Sequence, residues 1–237
     1  MAEKMTQEEL MQLLDKLYEQ TVQGISKVTP PIHVLANDYL RKHKDVETAA
    51  KSFIRYQITK CTTSGFVTGL GGLITIPVAV PVNVGSVLYV QMRMIACLAY
   101  MGGYELDSDQ VQTMVYACLA GVTIDKILKK AGIELGEKLA MGLIKKIPKA
   151  VVGKINQKVG FRLISRFSTK GLISLGKMVP IVGGVIGGGF DFAETSIIAD
   201  RAYKMFICGD LDVLSAKQEQ EDEEFEVIEV QEVTEEV

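Results

Sequence analysis

The stretch CTTSGFVTGLGGLITIPVAVPVNVGSVLYVQM, residues 61–92, contains no charged residue over 32 positions. Its length would allow one crossing of a bilayer, which needs about 20 apolar residues. Pro77 and Pro81 argue against one straight helix, because a proline in a helix interior costs about 3 kcal/mol or more. We therefore predict two apolar helical pieces, about 64–76 and 81–102, that form a hairpin at the prolines. Pieces this short favour a buried core or a re-entrant hairpin over a membrane span.

A second uncharged segment runs from Met178 to Phe190 and is predicted to open a last helix that ends near Gly209. Glycines four residues apart, as at Gly65 and Gly69, favour close packing between helices. A phosphate-binding loop is the alternative, but the spacing does not match the dinucleotide fingerprint and no strand precedes it. We therefore expect two apolar hairpins, each broken by glycine and proline, at the centre of the fold.

Amphipathic helices are predicted around that centre. Thr6 and Glu9 form a capping box at the start of a helix over residues 5–25. The further predicted helices cover about 33–41, 46–63, 108–120, 124–147 with an interruption at Gly132, and the stretch from Pro148 to about Ser168. The fold class is therefore all-α. We expect an N-terminal amphipathic helix (1–32), one helical domain (33–210) and a disordered acidic tail (211–237) that cannot bury enough apolar surface to fold.

The charges are distributed unevenly along the 237 residues. The net charge is -3, yet residues 217–237 carry ten acids and one lysine. Residues 126–177 carry thirteen Lys or Arg and two acids. A basic region of this kind attracts phosphate, either on lipid headgroups or on nucleic acid.

Within the basic region, apolar residues recur every four positions from Leu135 to Phe167, and basic residues follow the same period. We interpret this pattern as a basic amphipathic helix interrupted at Pro148, of the kind that lies on a membrane surface. A core-packed helix with a solvated basic face remains the alternative. Nucleic acid is not expected, because the region lacks exposed aromatic residues for stacking. The predicted membrane face consists of Lys145, Lys149, Lys154, Lys158, Arg162, Arg166 and Lys170.

A polar strip runs along one face of the predicted apolar helix 81–102 and includes Asn83 and Arg93. Asp191 and Glu194 have a similar spacing in the last helix. Because an unpaired buried charge is very costly, we predict that Arg93 pairs with one of these two carboxylates where the helices meet. The pair would either fix the helix register or line a functional polar pocket.

No pattern of a known catalytic or cofactor site is present. The sequence lacks HExxH, GxSxG and a P-loop lysine, so no catalytic residue, cofactor or metal site is predicted. None of the four cysteines has CxxC spacing, which favours a reducing compartment. The polar N-terminus does not resemble a signal peptide. We therefore expect a cytoplasmic protein.

Three blocks of the chain resemble the EcsC protein family of bacteria. They are ANDYLRKHKD (36–45), the stretch from TSGFVTGLGG to MVYACLAG (63–121), and KINQKVGFRLISRFSTKGLISLGKMVPIVGGVIGG (154–188), within a region of about 33–207. The family is named after a protein encoded beside the subunits of an ABC transporter, so the resemblance implies a link to ABC transport or secretion. It brings no catalytic residues. Two segments, around Pro81–Met101 and Pro180–Phe206, are also similar to the membrane-associated helical domain that follows some bacterial GTPase domains.

These observations predict a non-enzymatic, cytoplasmic protein that binds anionic membrane through residues 126–177. One or both apolar hairpins would insert into the bilayer. Two alternatives stay open: a soluble helical bundle that binds a lipid or another apolar ligand, and an enzyme of unrecognised type built around Arg93, Asp191 and Glu194. We also hypothesise that the acidic tail folds over the basic region and competes with lipid.

Overall fold

A computed structural model describes residues 6–62, 82–133, 141–167 and 188–210, with the side chains of 60–62, 82–84, 86, 141, 143, 167 and 188–194 left out. The predicted helix 64–76, most of the second uncharged segment and the acidic tail lie outside the described residues. The helices are α1 (Gln7–Gln23), α2 (Ile32–Lys42), α3 (Val46–Thr62), α4 (Val82–Met101), α5 (Asp109–Ala120), α6 (Asp125–Lys130), α7 (Met141–Ile144), α8 (Lys149–Phe167) and α9 (Gly188–Tyr203), followed by a π-helical turn (Lys204–Cys208). The described part of the chain is all-α, as predicted.

Helix α4 is the central helix of the described core. Its residues from Leu88 to Ala99 are all buried, and α1, α2, α3, α5 and α9 pack against it. The predicted apolar helix 81–102 therefore forms. Other helices of the described part of the chain surround it. None of the helices described here is both long enough and apolar enough to cross a bilayer.

Helices α3, α4 and α9 pack together with defined directions. The Phe206 carbonyl lies against Gly102, so the C-terminal ends of α4 and α9 meet. The Tyr203 hydroxyl lies 3.4 Å from Glu47 Oε2, so α3 begins where α9 ends. Each helix is about 24–30 Å long at 1.5 Å per residue. The first residue of α4, the first of α9 and the last of α3 therefore share one end of the domain, where the two uncharged segments join it.

The N-terminal helix is anchored to the same core. Thr6 and Glu9 form the predicted capping box, with Thr6 N donating to Glu9 Oε2 at 2.8 Å and Glu9 N to Thr6 Oγ1 at 3.2 Å. The buried stripe of α1 faces α4 and α8. The Tyr18 hydroxyl donates to the Leu106 carbonyl at 2.8 Å, which ties α1 to the loop before α5.

The interruption predicted at Gly132 within the helical region 124–147 is confirmed. Helix α6 ends at Lys130, and Gly132 follows with a φ of 73°, a left-handed conformation that stops the helix. Helix α7 covers four residues, and Lys145 begins a turn that leads to Pro148. Pro148 disfavours the helical conformation at the residue before it, so α8 begins only after Pro148.

Candidate functional site

The first candidate site surrounds Arg93, in the middle of α4. Its side chain is 7% exposed. Arg93 Nη1 donates to the Thr21 carbonyl at 3.1 Å, and Nη2 donates to the Pro30 carbonyl. One turn earlier, the Tyr89 and Thr29 hydroxyls share a hydrogen bond of 2.7 Å. Arg93 and Tyr89 therefore hold the connection between α1 and α2 against the central helix.

The electrostatics of the Arg93 site favour this structural role. Thr21 lies in the last turn of α1, where carbonyls lack partners within the helix and carry the negative end of its dipole. The Arg93 guanidinium donates a hydrogen bond to one of these carbonyls, and its positive charge is stabilised by the negative end of the helix dipole. Burial lowers the pKa of Arg93, and the nearby Tyr89 opposes that shift. Arg93 therefore acts as the C-terminal cap of α1.

The other residues of the predicted ion pair or polar pocket have described backbones only. Asn83 lies in α4, and Asp191 and Glu194 lie in α9, but their side chains are outside the described set. Helices α4 and α9 do pack against each other. Among the side chains described, no carboxylate lies within salt-bridge distance of Arg93, whose acceptors there are backbone carbonyls. The ion pair and the polar pocket stay predictions.

The second candidate site is the basic surface of α8. The apolar stripe of this helix is buried against α1 and α5 through Val151, Ile155, Val159 and Leu163. These side chains are therefore part of the core and are not presented to a bilayer. Any attachment through α8 would use its charged side chains alone.

The basic side chains at the start of α8 are exposed. We call Lys146, Lys149 and Lys154 the lysine surface; all three are exposed, and none has an acidic partner among the described residues. Their neighbour Lys145 is also exposed but pairs with Glu105, with 2.8 Å between Nζ and Oε1. A Cβ added at Gly153, between these lysines, would meet no atom of the described residues within 4 Å. Within the described part of the chain, no other element covers this position of the lysine surface.

The basic side chains at the end of α8 are half-buried, which the sequence did not predict. Lys158, Arg162 and Arg166 are each partly covered, and Lys170 lies outside the described residues. The pKa of Arg166 is lowered to about 10, chiefly by burial and then by the charges of Arg201 and Arg162. The predicted face therefore divides into an exposed lysine half and a half-buried arginine half. The four-residue period does not distinguish them, because the burial of a side chain and its proximity to Arg201 depend on distant parts of the chain.

Arg201 is the residue of this site that the sequence interpretation left without a role. It extends from α9 across Gly121, the left-handed residue (φ 70°) that caps α5. A side chain at Gly121 would collide with the guanidinium. A cation at this helix end meets the negative pole of α5. Arg201 therefore joins α9 to α5 beside Arg166.

Within the described ranges, no three His, Cys, Asp or Glu side chains are grouped to hold a metal ion. No curated protein and no solved structure matches the chain. The sequence model of the EcsC protein family matches residues 2–207. The match begins at residue 2, earlier than the resemblance over 33–207, so it includes α1, which packs on the same core. With the matched region spanning the whole helical domain, the chain belongs to the EcsC protein family.

Proposed function

We propose that this protein attaches peripherally to anionic membranes from the cytoplasmic side through the lysine surface. The observation that carries the proposal is the exposure of Lys146, Lys149 and Lys154 with no acidic partner among the described residues. Lysine ammonium groups in this state are available to lipid phosphates. The EcsC family is named after a protein encoded beside the subunits of an ABC transporter. This supports a further part of the proposal, an accessory role in ABC transport or secretion.

The buried stripe of α8 determines the kind of attachment that we propose. Because the apolar side chains pack inside the domain, α8 would contact headgroups without inserting into the acyl chains. Each lysine close to an anionic surface contributes about 1 kcal/mol of binding free energy. Salt screens this attraction, which falls off over a Debye length of about 10 Å at 0.1 M salt. Three lysines together would contribute about 3 kcal/mol, or roughly two orders of magnitude in affinity.

The test is co-sedimentation with vesicles of phosphatidylcholine alone and of phosphatidylcholine with phosphatidylglycerol. The test variant is K146Q/K149Q/K154Q. The matched control, K16Q/K27Q/K44Q, also replaces three exposed lysines that have no acidic partner among the described residues, and it changes the net charge equally. We expect the wild-type chain and the control to bind only the anionic vesicles, and the test variant to bind about 100-fold more weakly.

Equal binding by the two triple variants would contradict the proposal, because the net charge rather than the lysine surface would then control binding. Absence of binding by the wild-type chain at low salt would also contradict it. High-salt and carbonate washes of the membrane fraction separate the two modes of attachment. Release by salt supports a peripheral contact, and retention through carbonate would show that the uncharged segments are inserted as well.

A further inference from the structure

We propose that the acidic segment 219–226 of this chain docks on the lysine surface and competes there with anionic lipid. This inference rests on the proposed function, because it assigns a regulator to the same surface. Segment 219–226 carries six acids in eight residues and no basic residue. Two features of the molecule indicate that this segment binds the lysine surface. They are its complementary charge and the place where the chain leaves the described domain.

The chain leaves the described domain close to the lysine surface. Asp210, the last described residue, follows the π-helical turn, and its backbone N–H donates to the Lys204 carbonyl at 2.9 Å. In that turn the Phe206 ring packs edge-on against Tyr104, with 5.3 Å between the ring centroids. The next residue, Glu105, pairs with Lys145, directly beside the lysine surface. The acidic tail therefore begins near the corner of the domain that carries the lysines.

The length of chain between these points is sufficient. Eight residues lie between Asp210 and Glu219, and the nine steps from one Cα to the other span at most about 30 Å when extended. Lys149 and Lys154 are separated by about 8 Å along the axis of α8. The linker is thus long enough to cross from the neighbourhood of Asp210 to the neighbouring lysine surface, and eight extended residues are long enough to span Lys149 and Lys154.

Docking and lipid binding exclude each other because both use the same ammonium groups. Each exposed ion pair favours contact by a factor of about 1.5 to 5, so three pairs together favour docking by about tenfold at low salt. Lipid phosphates at high surface density would displace the segment. The segment would thus restrict attachment to strongly anionic membranes.

The test compares the full-length chain with a full-length variant in which segment 219–226 is neutral, with Glu→Gln at 219, 221, 223, 224 and 226 and Asp222→Asn. Lysine acetylation rates are measured by mass spectrometry without lipid at low salt. We expect the rates at Lys146, Lys149 and Lys154 to rise about threefold or more in the neutral variant, as three exposed ion pairs are lost. The rates at Lys16 and Lys27 should stay unchanged, and the difference should disappear at about 0.5 M salt, where screening is strong.

Unchanged rates at the lysine surface, or an equal rise at all lysines, would overturn the inference. Vesicle binding separates this failure from a failure of the proposed function. If the neutral variant shows the local rise and binds anionic vesicles more tightly than the wild-type chain, both proposals are supported. If it shows the local rise but neither protein binds vesicles, the docking is supported and the proposed function is wrong. If the wild-type chain binds vesicles without a local change in labelling, the proposed function is supported and the docking is wrong.

Discussion

Replacing Arg93 with Met tests whether the buried guanidinium holds α1 and α2 against the central helix. Met is unbranched and replaces the apolar stem of the arginine side chain, so it retains the packing of that stem on α4. The variant loses the hydrogen bonds to the Thr21 and Pro30 carbonyls. It also removes the positive charge from the last turn of α1, where the Thr21 residue is fully buried.

The size of the effect follows from these contacts. A hydrogen bond from a charged donor contributes about 1.5–3 kcal/mol, so two of them amount to about 3–6 kcal/mol. The variant recovers part of this loss, because a buried guanidinium is costly to desolvate. We expect a net loss of about 3 kcal/mol in the free energy of unfolding. For a domain of this size such a loss lowers the Tm by about 6–12 °C.

The assay is urea and thermal unfolding followed by circular dichroism, with Arg55→Met as the matched control. Arg55 is an exposed arginine on α3, so its replacement should change the stability by less than about 0.5 kcal/mol. If the Arg93 and Arg55 variants unfold at the same urea concentration, the proposed cap contributes nothing and the reasoning is refuted. Double-mutant cycles of Arg93→Met with Asp191→Asn and with Glu194→Gln then test the predicted ion pair. A coupling above about 1 kcal/mol in either cycle would support it.

Two further predictions concern backbone packing and pH. Gly102→Ala should lower the stability by about 2 kcal/mol or more, because its Cβ would collide with a backbone carbonyl in the π-helical turn. Gly153→Ala, in the exposed middle of α8, should raise the stability by about 0.5–1 kcal/mol. Equal unfolding midpoints for the two variants would contradict this prediction. Burial raises the pKa of Tyr116 well above 10, and the nearby Asp15 carboxylate adds to the shift. The unfolded chain therefore loses this proton first, and stability falls as the pH rises above about 10, at about 1.4 kcal/mol per pH unit for this group. Tyr116→Phe should reduce the slope by that amount in alkaline urea unfolding, and an unchanged slope would refute the argument.

Local sequence signals predicted most of the helices. The ends of α2, α3 and α5 differ from the predicted bounds by at most one residue, and α4 differs from its predicted bounds by one residue at each end. The capping box of Thr6 and Glu9 also forms as predicted. These features depend on residues three or four positions apart and on proline, so the sequence contains all the groups involved. The interruption at Gly132 and the helix that begins after Pro148 also follow the prediction, although α7 ends at Ile144, three residues before the predicted bound.

The sequence by itself determined that the chain is helical, that α4 is mostly apolar with Arg93 in its middle, and that the charges of the chain are segregated. The tertiary structure decided which charges are exposed and what Arg93 binds. The acceptors of Arg93 lie 72 and 63 residues away, at Thr21 and Pro30. Along the basic face of α8, Arg166 is half-buried and its pKa is lowered in part by the charge of Arg201 from α9. Periodicity identifies the residues that share one face of a helix, but it does not identify the element that covers that face, because packing between helices depends on contacts between distant parts of the chain.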